Sequence, residues 1–253
     1  MTPPTFLGLF LLCAACGPDP PTRPAAAAPQ PDAQDTASLR RLRGAMVRAQ
    51  IEGRGIRDPA VLRAMLTVPR HRFVRPGLAE LAYTADGALP IGFGQTISQP
   101  YIVAFMAAAA RLEPGDRVLE IGTGSGYGAA VLAELAAEVY TMEILPELAE
   151  QARALLDTLG YRNVHVLAGN GWLGWPEHAP YDAIVVTAAP DEIPAALVDQ
   201  LAVGGRLVIP VGEWLQYLRV LEKTSQGLRE LDRIPVQFVP MVRQPPDTAP
   251  RNR

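Results

Sequence analysis

The sequence predicts an α/β fold, a doubly wound and mostly parallel sheet with helices on both faces and antiparallel strands at the C-terminal end. Three observations predict it. Between Arg117 and Val211, short apolar runs alternate with stretches of helical periodicity. A glycine-rich turn, residues 122–128, directly follows the first of those runs. Two last apolar runs, residues 217–223 and 234–239, have no helix between them. Strands that alternate with helices lie parallel, whereas strands joined without a crossover pair antiparallel.

Each element follows from local signals. Residues 38–53 carry Leu39, Leu42, Ala45, Met46 and Ala49 at helical spacing. Asp58 before Pro59 is a helix start, because the carboxylate caps the first N–H groups and proline is preset for the first turn. That helix runs to residue 66 and Val68-Pro69 ends it. Residues 76–99 read as a glycine-rich loop, and Pro100 opens a helix to residue 112. A turn at residues 114–116 leads into the strands Arg117–Ile121, Glu138–Glu143, 163–168, 181–187 and 206–211. Helices over 129–137, Pro146–Leu159 and 194–201 separate them, the second closed by Gly160 and the third by Gly204-Gly205.

Composition bounds the function. The chain has 253 residues, enough for a sizeable core, and a net charge of −3. No global basic field points to nucleic acid, and the arginine-rich stretch 40–48 has the spacing of a solvated helix face. No nucleic-acid partner is expected. Both cysteines, Cys13 and Cys16, lie near the N-terminus, so the body of the chain holds neither a disulfide framework nor a cysteine metal site. His71, His165 and His178 lack metal-ligand spacing, and no metal is expected.

Residues 1–16 include an apolar run too short to span a bilayer. The run is shaped like a secretory or lipoprotein-type leader, with Ala14-Ala15 before Cys16. It departs from that pattern in having Cys13 where leucine is usual and no Lys or Arg ahead of the run. Residues 17–37 read as a Pro- and Ala-rich disordered linker, 38–243 as the folded domain and 244–253 as a disordered tail. Export, or lipid anchoring through Cys16, stands beside a start further downstream, for example at Met46.

The chemistry concentrates where open α/β sheets bind ligands, outside the carboxyl ends of the strands. Glycines at 122, 124 and 126 exceed what a plain turn requires and bring backbone close to a ligand. Gly124-x-Gly126-x-x-Ala129 fits a loose dinucleotide pattern, with Glu143 at the distance of a ribose contact, so a nicotinamide cofactor stays open here. Against it, Glu120 precedes the loop, where a carboxylate repels a pyrophosphate and suits a cationic ligand end. Glu143 also sits ahead of the helix at Pro146, whose N-terminus a carboxylate stabilises. Asn170-Gly171 is a common turn pair. Ser98 has the position of a helix cap, but capping does not account for Gln95, Thr96, Ile97 and Gln99, which with it read as a ligand wall. Thr187 ends the fourth strand at the same edge.

The run 118–127, VLEIGTGSGY, resembles motif I of class I methyltransferases, which have a Rossmann-like fold and bind S-adenosylmethionine. Together with VPRHRFV at 68–74, LPIGFGQTISQPY at 89–101, GNGW at 169–172, VVTAAP at 185–190 and GGRLVIPVG at 204–212, the chain resembles the protein-L-isoaspartate O-methyltransferase family over residues 40–242. The segment GQTISQP at 94–100 is the family-specific part. The resemblance implies S-adenosylmethionine as cofactor, held by Glu120, Gly122, Thr123, Gly124, Ser125, Gly126, Glu143, Asn170 and Gly171. It implies Ser98 as the catalytic residue, with Gln95, Thr96, Ile97, Gln99 and Thr187 against the substrate.

The implied substrates are isoaspartyl-containing proteins and peptides. Methyl passes to the free α-carboxylate of an L-isoaspartyl residue, and the ester closes spontaneously to a succinimide whose hydrolysis partly restores aspartate. The family carries Asp at the position of Asn170, where only the amide carbonyl can accept from the adenine amine. An acceptor carboxylate is ionised at neutral pH and needs no general base. Resemblance and cofactor supply imply a cytoplasmic monomer. A class I methyltransferase acting on another substrate, a nicotinamide-dependent oxidoreductase and a binding module that kept the fold are the alternatives. A substrate panel and a titration with both cofactors separate them.

Overall fold

The computed structural model describes residues 34–244. The leader, most of the linker, Cys13 and Cys16, and all but the first residue of the tail lie outside the described residues.

Three helices lead the described residues, α1 (Ala37–Met46), α2 (Pro59–Thr67) and the short α3 (Leu81–Thr84). Thr36 caps α1 through a side-chain bond from the Leu39 N–H. The helical pattern up to residue 53 is realised in three pieces. α1 widens into a π turn over Val47–Ile51 and tightens to a 3-10 turn over Glu52–Arg54, and Gly55 at φ 99° stops it. The arginine stretch is not all solvated. Arg40, Arg41 and Arg48 are exposed, but Arg43 is buried, 2.9 Å from Asp35 and bonded to the Tyr83 hydroxyl. At α2, Asp58 accepts from the N–H groups of Ala60 and Val61, a cap worth about 1 kcal/mol.

Residues 76–99 hold more order than a loop. They contain α3 and an antiparallel hairpin, β1 (Leu89–Gly92) with β2 (Gln95–Ile97). Its strands are too short to leave an alternation signal. The tip, Gly92-Phe93-Gly94, has φ of 106°, 52° and 70°, so two of three left-handed positions fall on the residue that adopts them without strain.

The remaining elements are α4 (Pro100–Ala110), β3 (Arg117–Ile121), α5 (Tyr127–Ala133), β4 (Glu138–Glu143), α6 (Pro146–Leu159), β5 (Val164–Ala168), β6 (Tyr181–Val186), α7 (Ala195–Gln200), β7 (Leu201–Val211), β8 (Gln216–Thr224) and β9 (Gly227–Val236). β3, β4 and α6 have the expected bounds. α5 begins two residues early, at the Gly126 cap. The last strand is displaced from the expected 234–239 to 227–236. It is an edge strand whose exposed row contains Arg229, Glu230, Asp232 and Arg233, and such charges guard an edge while hiding the apolar pattern.

The seven main strands run β5-β4-β3-β6-β7-β8-β9, the first five parallel, β8 antiparallel to β7 and β9 antiparallel to β8. The chain leaves β3 toward β4 and β5, then returns to β6 on the other side of β3. The switch in strand order therefore falls between β3 and β6. One face is covered by α1, α2, α4, α5 and α6, the other by the short α7 and 3-10 turns near Trp172. Along β3, Val118 and Glu120 share the first face and Leu119 and Ile121 the second. No helix among the described residues is long and apolar enough to cross a membrane.

Candidate active site

The ends of β3, β4 and β6 hold the glycine turn from below. The N–H groups of Gly122 and Thr123 both donate to the Met142 carbonyl, at 2.8 and 3.1 Å, and Thr187 N–H donates to the Ile121 carbonyl at 2.8 Å. Gly122 has φ 98°, and a Cβ there would overlap the Thr187 hydroxyl. That hydroxyl donates to the Ile121 and Gly122 carbonyls. Glycine at 122 is thus required by both backbone angle and space. Gly171 is required by space alone, since a Cβ would overlap the Ile121 side chain.

Two clefts open above this edge. The first, of about 270 Å³, is lined by Gly122, Gly124, Glu143 and Gly171, with Ile121, Met142 and Leu145 as apolar walls. Gln95 and Thr96 of the hairpin and residues 239–242 close it. The second, of about 300 Å³, is lined by Ser98, Gln99, Ile102 and residues 235–239. Thr96, Thr187 and Val239 belong to both clefts. The two spaces therefore meet at the strand-order switch.

Glu143 is fixed by backbone. One carboxylate oxygen accepts from Gly124 N–H at 2.9 Å and the other from Leu145 N–H at 3.1 Å. Each oxygen keeps acceptor capacity toward the first cleft. Ser98 also lines a small void of about 20 Å³ shared with Glu120 and Thr187. It is not a cap. Gln99 occupies the N-cap of α4 and no side chain bonds to the helix end, so the Ser98 hydroxyl is not committed to the helix.

Glu120 departs from the sequence expectation. Strand alternation turns it with Val118 toward α4 and α5, behind the turn rather than into the first cleft. It is 1% exposed and accepts from the Thr141 hydroxyl at 2.6 Å, which lies 2.7 Å from the Thr123 hydroxyl. Burial pushes its pKa up to about 8, against the Thr141 bond and with help from the nearby Glu143 charge. Burial therefore favours its neutral form in the folded chain.

Four other expected cofactor contacts do not line the first cleft. Thr123 is buried in the Glu120–Thr141 chain, and Gly126 packs against Leu156. Ser125 faces a separate surface cleft beside Arg72 and Leu148. Asn170 accepts from Trp172 N–H and donates to the Arg243 carbonyl, each at 3.0 Å. Among the expected substrate residues, Ile97 is buried, while Gln95, Thr96, Gln99 and Thr187 reach one or both clefts.

The profile of the family described as protein-L-isoaspartate(D-aspartate) O-methyltransferase matches residues 41–245. The chain belongs to this family. The protein-L-isoaspartate O-methyltransferase of Gloeobacter violaceus is 59% identical over 203 residues, covering 79% of this chain and 98% of the relative. The one of Synechococcus sp. (strain JA-2-3B'a(2-13)) is 60% identical over 220 residues, covering 84% and 89%. Among solved structures, a protein-L-isoaspartate O-methyltransferase aligns with TM-score 0.72 at 29% identity, over 80% of this chain and 65% of that one. Another, from Plasmodium falciparum in complex with S-adenosyl-L-homocysteine, aligns with TM-score 0.68 at 26% identity, over 81% and 99%.

Within this family framework, sequence reasoning missed the C-terminal strap, residues 237–243, which walls both clefts. The strap is tied down at several points. Gln216 exchanges two bonds with the Phe238 backbone, at 3.1 and 2.6 Å. Ala189 N–H donates to Val239 O, and Met241 N–H to Ala189 O, both at 2.8 Å. Trp172 Nε1 donates to the Met241 carbonyl, and Arg243 stacks 3.6 Å above the Trp172 ring. The apolar run 238–242 was the available signal, but it reads equally well as the end of a strand.

Proposed function

We propose that the two clefts divide the work of a single methyl transfer, from S-adenosylmethionine to the free α-carboxylate of an L-isoaspartyl residue in a protein or peptide. Family membership, with relatives of that name at 59% and 60% identity over most of the chain, makes it an S-adenosylmethionine-dependent protein carboxyl methyltransferase acting on isoaspartyl proteins. The division of labour among the residues is our reading.

The first cleft fits the donor. Glu143, fixed by two N–H groups, would accept from the ribose hydroxyls. Ile121, Met142, Leu145 and Met241 form an apolar slot suited to adenine. Gly122 and Gly124 leave backbone bare for the amino-acid end. When bound, S-adenosylmethionine supplies a methyl group on a sulfonium that leaves as a neutral thioether.

The second cleft takes the peptide. Ser98 donates a hydrogen bond that orients the acceptor carboxylate, and Thr96 and Thr187 flank the junction. An ionised carboxylate requires no base, so the protein's task is alignment and exclusion of water. Alignment of this kind contributes roughly 7–11 kcal/mol in favourable cases. The observation that carries the reading is the sharing of Thr96, Thr187 and Val239 by the two clefts.

The test is methyl transfer from labelled S-adenosylmethionine to a synthetic isoaspartyl peptide, with the aspartyl peptide as control. Label on the first only supports the reading, and equal labelling of both removes it. We place the enzyme in the cytoplasm, where the donor is made, and as a monomer. Localisation of a tagged full-length chain and sedimentation of the purified protein check these two points.

A further inference from the structure

We propose that Arg70 is a positioning residue for Ser98, a buried guanidinium that holds the serine backbone against the segment following the glycine turn. The inference rests on the role given to Ser98 above and adds the device that keeps it in place.

Arg70 lies in a 3-10 turn, Arg70–Phe73, directly after α2, and its side chain is fully buried. Its Nε donates to the Ala82 carbonyl at 2.9 Å and one Nη to the Ser98 carbonyl at 2.8 Å. The guanidinium carbon stands 4.7 Å from the centre of the Tyr127 ring, and Tyr127 is the first residue of α5 after the glycine turn. One cation thus joins three separate parts of the chain: α3 ahead of the hairpin, the candidate catalytic serine, and the helix that begins at the cofactor turn.

The Ser98 backbone needs such a partner. Ser98 falls between the last hairpin pair, Leu89 with Ile97, and the first helical acceptor of α4, the Gln99 carbonyl. Neither ladder reaches its own carbonyl, and Pro100 contributes no N–H. The bond is part-buried, and a carbonyl drawn away from water without a partner is costly. Lysine would offer a point charge, whereas the planar fork of arginine reaches two carbonyls in fixed directions while stacking on a ring. Among the described residues no carboxylate acts on this cation, and the groups that do are Tyr127 and Tyr83. Burial lowers its pKa, and Tyr127 opposes that shift. A charge kept buried on carbonyls and a ring is poor as a stabilising device, which favours a geometric role. Arg70 lines neither cleft, so it acts through Ser98 and not on substrate.

The experiment is a double-mutant cycle on the full chain with Arg70→Lys and Ser98→Ala. It is read as kcat and KM for an isoaspartyl peptide, with affinity for S-adenosylhomocysteine by calorimetry. Arg70→Lys is expected to lower kcat at least about tenfold, as a small misplacement does, with donor-site affinity unchanged within about threefold. In the Ser98→Ala background the same change should cost less than about threefold more, because coupled residues are not additive. Losses that multiply overturn the inference, as does full activity of Arg70→Lys beside an impaired Ser98→Ala. Full activity of Ser98→Ala alone removes the reading of Ser98 and this inference with it.

Should Arg70→Lys not fold, a crystal structure of the unaltered chain with S-adenosylhomocysteine and the isoaspartyl peptide decides. Arg70 on the Ser98 carbonyl with the Ser98 hydroxyl facing the peptide carboxylate supports the inference. A guanidinium turned away from Ser98 overturns it.

Discussion

The two clefts meet at one edge of the sheet but are built in different ways. The floor of the cleft proposed for the donor is held by backbone. The glycine turn, the Glu143 carboxylate and the Met142 and Ile121 carbonyls are joined by N–H bonds between neighbouring strand ends. The peptide side is made of pieces that have no ladder in common, the segment around Ser98 and the C-terminal strap. Long side chains reaching carbonyls hold these pieces, namely Arg70 on Ser98 and Gln216 on Phe238, beside one backbone bond from Ala189 N–H to the Val239 carbonyl. The donor is the same in every turnover, while the peptide around the acceptor varies. A rigid site for the constant partner and an assembled wall for the variable one is the division this contrast teaches.

The contrast can be broken from either side. Gly122→Val should have the largest effect, because the position needs both φ 98° and the space held by the Thr187 hydroxyl. The expected outcome is loss of measurable S-adenosylhomocysteine binding in calorimetry, with the folded state checked by circular dichroism. Retained affinity would show that the turn tolerates a side chain and is not the donor cradle.

Next, Ser98→Ala should lower kcat on an isoaspartyl peptide by about a hundredfold, the scale seen when one aimed donor is removed. Donor-site affinity should stay within about twofold, so an equal loss in both quantities would merge the two sides. Glu143→Gln should act in the opposite sense. It should weaken donor-site affinity at least about tenfold, in line with about 1.5–3 kcal/mol for a hydrogen bond to a charged group, while kcat at saturating donor changes little. Calorimetry and steady-state rates on the same preparations measure both.

Glu120→Gln sharpens the comparison by pH. The carboxyl ordinarily titrates near 4.5 and in the folded chain at about 8. Between those values the folded state keeps a proton that the unfolded state has released. Wild-type stability therefore falls as pH rises from about 4.5 to about 8 and levels off above that range. Glutamine keeps an acceptor for Thr141 and has no proton to lose. It should flatten this slope and raise the melting temperature at pH 8 by a few degrees, at about 2–4 °C per kcal/mol for a chain of this size. Donor affinity should be unchanged. A tenfold loss of affinity would return Glu120 to the donor cleft.

The smallest effect is expected from Asn170→Asp. The amide caps Trp172 with its oxygen and holds the Arg243 carbonyl with its nitrogen. A carboxylate keeps the cap and loses the donor, which loosens the strap. Peptide KM should rise about twofold to threefold and donor affinity should stay within about threefold, since a single exposed hydrogen bond is worth about 1 kcal/mol. A large gain in donor affinity would mean that position 170 serves the adenine directly.

The sequence by itself determined what is periodic or local. The alternation of strands and helices, the glycine turn, Asp58 as a cap, the Pro146–Leu159 helix and Glu143 at a strand end could all be read residue by residue, because each depends on neighbours a few positions away. The family-specific segment at 94–100 could be read as well, though not the hairpin it forms. Tertiary structure alone decided the rest. β3 is buried on both faces, so its pattern says only that Glu120 and Val118 share a side, not that this side lies under α4 and α5 instead of over the turn. Arg70 and Ser98 are 28 residues apart, and Trp172 and Met241 are 69 apart. Their bonds exist only because the folded sheet brings distant carbonyls within reach of these side chains, and no local pattern in the sequence encodes such a distance.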